Sequence, residues 1–600
     1  MWVGNWTCAI GVVACLVLSG CGLISADEHQ STGAPSAGSG GVAGRSFGGN
    51  AGVGGGSVGI GGFGASGGAA SGLAGTNGQS QAGAAAGGAS ALGSGGVPGA
   101  GTSSVGTGGI GAPDPGCAFA VKVEGDLSIS PGKSPSQLVS NVWGDLTITG
   151  TSNELAQLRC LQTVGGSLSL DLSEGGLDAL GRLRSVGGDL VIKGNGAIRN
   201  LSGLGSLGVI SGGFTIRDTT ALVNLSGLDL LAVIGGRLTI SGNSALKNLD
   251  GLSHLETVTA LLIEDNAVLE NLDGLSHVAR KSVDIGVQHN PALQSLAGLR
   301  GFDEARSLDI IDNQSLVDLK GLESWTSLGQ VLISSNAALT NLTGFGGVKQ
   351  IVTLLLSENP KLRDLTGLER LAFASDLSFS NNPNLQNIDA LGSSLTELSS
   401  FLLEGSPAVT DVEGLHQVTS ANEIVIRSSG VSTLNGLRNT DTIASRLTLT
   451  NTKVTDLTGL GKAGFGGIVL EENSELTSLS GLSPINRALL VLVLSKNPKL
   501  SDLSVIAMVR DIDQELTIEG NAALSNLSGL DNLKTIGTLS VLDQPALTSL
   551  TSLGSLKTIR FGATFLRNSL LPSCAIQQLV TRCKPPMSEI QDNAPCNGTP

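Results

Sequence analysis

Along most of this chain the apolar residues follow a rhythm that is neither that of a long strand nor that of a helix. Between Gly236 and Val258 they fall at Leu238 and Ile240, two apart, and then at Leu246, Leu249, Leu252, Leu255 and Val258, three apart, with Asn243 in the same series. The first spacing predicts one short strand; the second predicts a bent path that turns one side chain inward at every bend. The string recurs. With Ile240 as the marker, its equivalents are Ile148, Leu170, Ile192, Ile216, Ile263, Val287, Ile310, Ile333, Leu356, Phe379, Leu403, Ile426, Leu449, Leu470, Leu494, Ile518 and Val541, in steps of 21 to 24 residues. Repeats of this length build solenoids, in which no unit can bury its apolar face alone. The expected fold is mainly β: one long right-handed parallel β-solenoid of about 18 coils of ~23 residues.

A second signal stands three residues after the marker. Asn195, Asn243, Asn266, Asn290, Asn313, Asn336, Asn359, Asn382, Asn473, Asn497 and Asn521 occupy it, and Thr219, Ser406, Ser429, Thr452 and Gln544 fill most of the gaps. Backbone leaving a strand at an inner corner has donors and acceptors that need partners. Stacked carboxamides can satisfy them and one another, so these residues are expected to form an inward structural ladder. A pentapeptide also returns in nearly every coil, as Asn200-Leu201-Ser202-Gly203-Leu204, Asn248 to Leu252 and Asp364 to Leu368. Its glycine predicts a second corner.

Composition changes the picture mainly at the N-terminus. An apolar run from Cys8 to Leu18 is too short to span a bilayer, which takes about 20 residues, and suits an exported leader. It ends in Leu18-Ser19-Gly20-Cys21, which resembles the bacterial lipobox although no Lys or Arg precedes the run. That resemblance implies cleavage after residue 20, lipid attachment at Cys21 and, with Gly22 next, an outer-membrane or cell-surface address. Residues 21–116 then read as a tether: from Ser31 to Gly116 the only charged side chains are Arg45 and Asp114. Gly, Ala, Ser and Thr cannot bury enough apolar surface to offset ordering, and the stretch would reach about 50 Å on average. The repeats fill 117–570 and a Cys-containing cap 571–600. With 35 basic against 50 acidic residues, a net charge of −15 argues against nucleic acid as a partner. Aromatics are 3% and Tyr is absent, which weakens any carbohydrate-stacking surface.

The string L-x-I-x-x-N-x-x-L-x-x-L-x-G-L resembles the repeat of receptor L domains and of bacterial surface lipoproteins built from it. Ordinary leucine-rich repeats are the near relative, but they place the next Leu two residues after the Asn, whereas here Leu246 and Leu339 come three after Asn243 and Asn336. The resemblance implies strands and turns with few or no α-helices between coils, and binding as the function. It also implies a closing helix with paired cysteines. Cys574 to Val580 reads as that helix, and Cys574 with Cys596 as the pair, because a helix would hold Cys574 and Cys583 about 13 Å apart. Cys583 is then free or intermolecular. Cys117 and Cys160 flank an opening cap, and an exported chain favours their pairing.

Candidate chemistry is sparse. There is no phosphate loop, zinc-spaced cysteine cluster or nucleophile elbow, and neither a metal nor a cofactor is expected. His254 and His277 occupy equivalent places in adjacent coils and read as copied surface residues rather than a metal bridge. Glu264, Asp265, Asp312, Glu358, Glu404, Glu471, Glu472, Glu519 and Asp543 form an acidic corner, read as a solvated rim. The residue between the two inward strand positions points outward and is apolar at Leu262, Leu332, Leu355, Leu402, Val425, Val469 and Val493. A lined-up stripe of this kind marks a contact surface, although β-propensity alone also accounts for Val and Leu there. The functional expectation is a lipid-anchored, non-enzymatic recognition or adhesion protein with a protein or glycan ligand. The alternatives are a glycan-processing β-helix enzyme, which needs two carboxylates roughly 5–10 Å apart in a cleft, and a structural coat component.

Overall fold

The computed structural model describes residues 115–596, except 195, 197, 280–282, 461–462, 483–484 and 486–487. The leader, Cys21, the tether up to residue 114 and the rung position Asn195 lie outside the described residues.

Among the described residues twenty-two strands, from Leu127–Ile129 to Ser588–Gln591, form one parallel sheet. Gly464–Phe465 and Gly467–Glu471 both pair with Thr442–Thr450 and belong to a single coil, so twenty-two strands make twenty-one coils. The count exceeds the expected eighteen because Ile129 at the start, and Phe565 and Ile590 at the end, carry the same register. The sheet stays open: its first strand pairs only with Leu146–Thr151 and its last only with Thr558–Leu566. Twenty intervals of ~4.8 Å give a sheet about 95 Å long in the hydrogen-bonding direction.

Marker lies on marker throughout, Ile216 beside Ile240, then Ile263, Val287 and Ile310. The three-residue series is the core. In the coil of Ile240, the residues Leu246, Leu249, Leu252 and Leu255 are fully buried, and so is Asn243. Larger side chains enter the core in mid-array, Phe302 and Trp325 in the place of Leu255 and Phe345 in that of Leu252. Phe379 and Phe401 meet edge to face, 5.8 Å between ring centres, an arrangement that suits the positive edge and negative face of aromatic rings.

In the N-terminal coils a second sheet of six short strands, from Val121–Val123 to Val233–Ile234, runs beside the first. Glycine pairs such as Gly187-Gly188 and Gly235-Gly236 separate the two segments of each coil. From Glu304–Ile311 onward most coils carry one continuous strand of eight or nine residues instead. The second corner is made by the pentapeptide. Its first side chain caps the backbone two residues on, as Asn200 Oδ1 accepts from the Ser202 amide at 3.1 Å and Asp364 Oδ1 from the Thr366 amide at 3.0 Å; Asn and Asp favour such local turns. Single 3-10 turns follow at Ser202–Leu204 and Asp273–Leu275. The one α-helix among the described residues, Ser573–Cys583, lies in the last coil and buries Ile576, Leu579 and Cys583.

Candidate functional site: the ladder, the corner and the outward row

The rungs point inward. Every described Asn of the predicted series is fully buried. Asn336 shows the bonding: its Oδ1 accepts from the Asn313 amide of the preceding coil at 3.0 Å, and its Nδ2 donates to Ile310 O at 2.9 Å and to Ser334 O at 3.0 Å. Its own amide donates to Asn359 Oδ1 at 3.0 Å. One carboxamide thus ties its coil to the one before. The chain of amide-to-Oδ1 bonds runs from Thr219 to Asn382, from Thr452 to Asn521 and from Gln544 through Asn568 to Asn593. Asn568 and Asn593 extend the predicted series, each three residues after its marker, Phe565 and Ile590. Between the first two runs sit Ser406 and Ser429, too short to accept from the rung amide of the preceding coil; the Ser429 hydroxyl has no hydrogen-bond partner among the described residues.

This geometry is decisive: parallel strands of near-constant repeat, inward leucines every third residue and a buried polar side chain, most often asparagine, at the inner corner of coil after coil. The fold is a leucine-rich-repeat-like solenoid. No family model matches the chain, and no curated protein does. Similar solved structures include an internalin of Listeria monocytogenes (16% identity, 60% of this chain and 82% of that one, TM-score 0.30). A leucine-rich-repeat protein of Leptospira interrogans (14%, 72% and 91%, 0.31) and the Toll–Spätzle complex of Drosophila (12%, 79% and 85%, 0.29) are others. At these TM-scores the likeness carries no further argument, and the assignment stands on the solenoid's own registers.

The predicted outward residues lie in one row of the sheet. Leu332 is beside Leu355, Leu402 beside Val425 and Val469 beside Val493. Ser378 separates the first two pairs and Thr448 the second two. Leu262 stands apart, beyond Gly286 and Asp309. All are half-buried except Val469, which is buried. Apolar, apolar, polar is therefore repeated every three coils, over about 34 Å from Leu332 to Val493. Polar rims flank the row, with Ser334, Ser357 and Glu404 on one side and Gln330, Thr353 and the Glu423–Arg446 ion pair on the other.

Asp309 is the exception within this row and was not singled out from the sequence. Partial burial beside Leu332 pushes its carboxyl above the usual range; a Ser307 hydrogen bond opposes the shift and the Asp284 charge adds to it. A carboxyl raised on folding opposes stability when both states are ionised, and the penalty fades as acid protonates the folded chain first. Asp309→Asn should therefore raise the melting temperature at pH 7, with the gain gone below about pH 4. Equal melting temperatures at pH 7 would contradict the burial argument.

At the acidic corner Asp265, Asp312, Glu358, Glu472 and Asp543 adopt left-handed backbone, φ 52–57°. The corner carries cations one coil away, Lys496 3.3 Å from Glu472 and Arg567 2.6 Å from Asp543, and the His289 ring lies 3.6 Å from Asp265. Glu358 and Glu519 accept from Ser335 and Ser495, both at 3.1 Å. Glu264, Glu404 and Glu471 end the strands just before the corner. His254 and His277 are exposed, and each ring lies within hydrogen-bond distance of the serine before it. No group of three His, Cys, Asp or Glu fit for a metal occurs among the described residues.

Two disulfides close the ends, Cys117–Cys160 and Cys574–Cys596, with Cα separations of 5.4 and 5.6 Å. Cys583 is a free, buried thiol; burial pushes its pKa up, and its Sγ lies 3.3 Å from Leu556 O. No described helix is long and apolar enough to cross a membrane.

Proposed function

We propose that this protein is a recognition or adhesion protein of the bacterial cell surface, held to the outer membrane by lipid on Cys21 and without catalytic activity of its own. The observation that carries the reading is the outward row, in which paired aliphatic side chains recur every three coils between polar rims. An apolar strip within a polar margin is how stable protein interfaces are built, and the partner it suits is a protein presenting apolar side chains along an extended or helical segment. The tether of residues 21–116 would carry the solenoid clear of the membrane. Fold alone does not fix function, so the argument rests on the row.

The test is cross-linking on intact cells, with partners identified, for the natural chain and for Leu332→Glu combined with Leu355→Glu. Both side chains are half-buried on the outer face, so the variant should still fold, as its melting curve would verify. The expected result is a specific partner captured by the natural chain and lost from the variant. Unchanged capture would remove the row from the account; capture of its own copies alone would turn the reading to a coat component.

A further inference from the structure

The segment that leaves each rung runs along a different wall from the outward row. The residue three after the rung points inward, and those two and four after it point outward. In the consecutive coils of Asn336, Asn359 and Asn382 these outward positions bring together Thr340, Lys361, Arg363, Asn384 and Gln386 around an open recess of about 300 Å³. The coils stack closely there: the Arg363 amide donates to Thr340 O at 3.0 Å, the Gln386 amide to Arg363 O at 2.8 Å, and Asn384 Nδ2 to Pro360 O at 2.7 Å. Ala338 holds the place that Lys361 holds one coil on, and its small side chain leaves room beside the lysine.

The recess is basic in a chain of net charge −15. Lys361 and Arg363 meet no carboxylate within 4 Å among the described residues, as is also true of other exposed cations such as Lys247, Lys349 and Lys534, but here two of them share one recess. The same two outward positions carry Ser315 and Val317 on one side and Ala408 and Thr410 on the other, so no acid occupies them across five coils. The nearest carboxylates in sequence are engaged in the turns: Asp364 accepts from the Thr366 amide, Glu369 from the Gly367 amide at 2.9 Å, and Glu358 from the Ser335 hydroxyl.

We infer that this recess binds a saccharide carrying an acidic group, a uronate carboxylate or a sulfate ester. A guanidinium offers parallel N–H donors to a planar or tetrahedral oxyanion, and the lysine adds a mobile point charge. The Asn384 and Gln386 carboxamides supply donors and acceptors of the kind that sugar hydroxyls need, and the Thr340 hydroxyl lies beside them. The volume is at the small end for ligand sites, enough for about one sugar ring with its acidic group. Glu358 at the corner on one side and the capping Asp364 on the other place negative charge beside the recess, which favours one acidic group over a long polyanion. With no aromatic side chain in the lining, binding depends on charge and hydrogen bonds and is salt-sensitive. This site is independent of the sheet-face reading: the residues, the wall and the ligand all differ.

The experiment is calorimetric titration of the full chain at about 50 mM salt with trigalacturonate, a sulfated disaccharide, uncharged cellotriose and sodium sulfate. At least one acidic saccharide is expected to bind, cellotriose not to bind, and sulfate alone to bind at least tenfold more weakly than the acidic saccharide. The uronate and sulfate arms tell which acid is preferred. Lys361→Glu combined with Arg363→Glu should weaken binding at least tenfold, and Lys361→Gln with Arg363→Gln by less, while the melting curves of these exposed variants stay unchanged. The inference is overturned if neither acidic saccharide binds, if cellotriose binds equally well, if sulfate alone binds as tightly, or if the charge-reversed variant binds like the natural chain.

Discussion

Gly251→Ala is expected to destabilise the solenoid by about 2–6 kcal/mol, although it adds a single methyl group. Two costs combine. Gly251 has φ +107°, a backbone conformation that a side chain resists, which typically costs about 1–3 kcal/mol. A Cβ there would also stand 2.0 Å from Leu225 O and 2.4 Å from Leu225 C of the preceding coil. Neither atom can swing away, because both belong to backbone inside the array, and overpacking of that kind costs about 1–3 kcal/mol more. Gly346→Ala is the matched control: a Cβ at Gly346 meets nothing within 4 Å and its φ is unexceptional, so a change within about 0.5 kcal/mol is expected. Denaturant unfolding of the two variants checks the contrast, and similar midpoints would mean that the second corner can open without strain.

Asn336→Ala is expected to cost about 3 kcal/mol. The substitution takes the acceptor from the buried Asn313 amide and the donor from Ile310 O and Ser334 O. A buried polar group left without a partner costs about 1–3 kcal/mol. Water cannot readily repair the loss, since Asn336 and its neighbouring rungs are fully buried. Ser429→Ala provides the contrast, because it deletes a hydroxyl that has no partner among the described residues; it should leave the unfolding midpoint nearly unchanged. In a quasi-one-dimensional array each coil leans on its neighbours, so the damage from Asn336→Ala should centre on the coils of Asn313 and Asn336.

Both positions were visible in the sequence as spacings, and that is where the sequence is strong. Inward leucines every third residue and a polar residue three after each marker leave few arrangements other than stacked coils, since a slip of one residue would turn Leu246, Leu249 and Leu252 to solvent. The coil of Ile590 is obscured for a local reason: the helix Ser573–Cys583 stands between its strand and that of Phe565. The ladder is interrupted where the following rung lacks a carboxamide of the right length. Thr219 and Ser406 both bear hydroxyls, but Thr219 is followed by Asn243, whose Oδ1 accepts from its amide at 3.1 Å and its Oγ1 at 2.6 Å, whereas Ser406 is followed by Ser429, whose hydroxyl has no partner among the described residues. The outward row was legible residue by residue, but its grouping around Ser378 and Thr448 and the intrusion of Asp309 needed the registers. Lys361 and Arg363 are not legible in this way, because the inward pattern says nothing about which outward residues on neighbouring coils converge.

Residue-resolved amide hydrogen exchange tests the stacking of corner asparagines most directly. The account predicts strong protection of the rung amides from Thr219 through Asn359, each of which donates to the side chain of the following coil, and selective loss of protection at Asn313 in Asn336→Ala. Rung amides that exchange as fast as those of the exposed corners, or an Asn313 amide indifferent to Asn336→Ala, would contradict it.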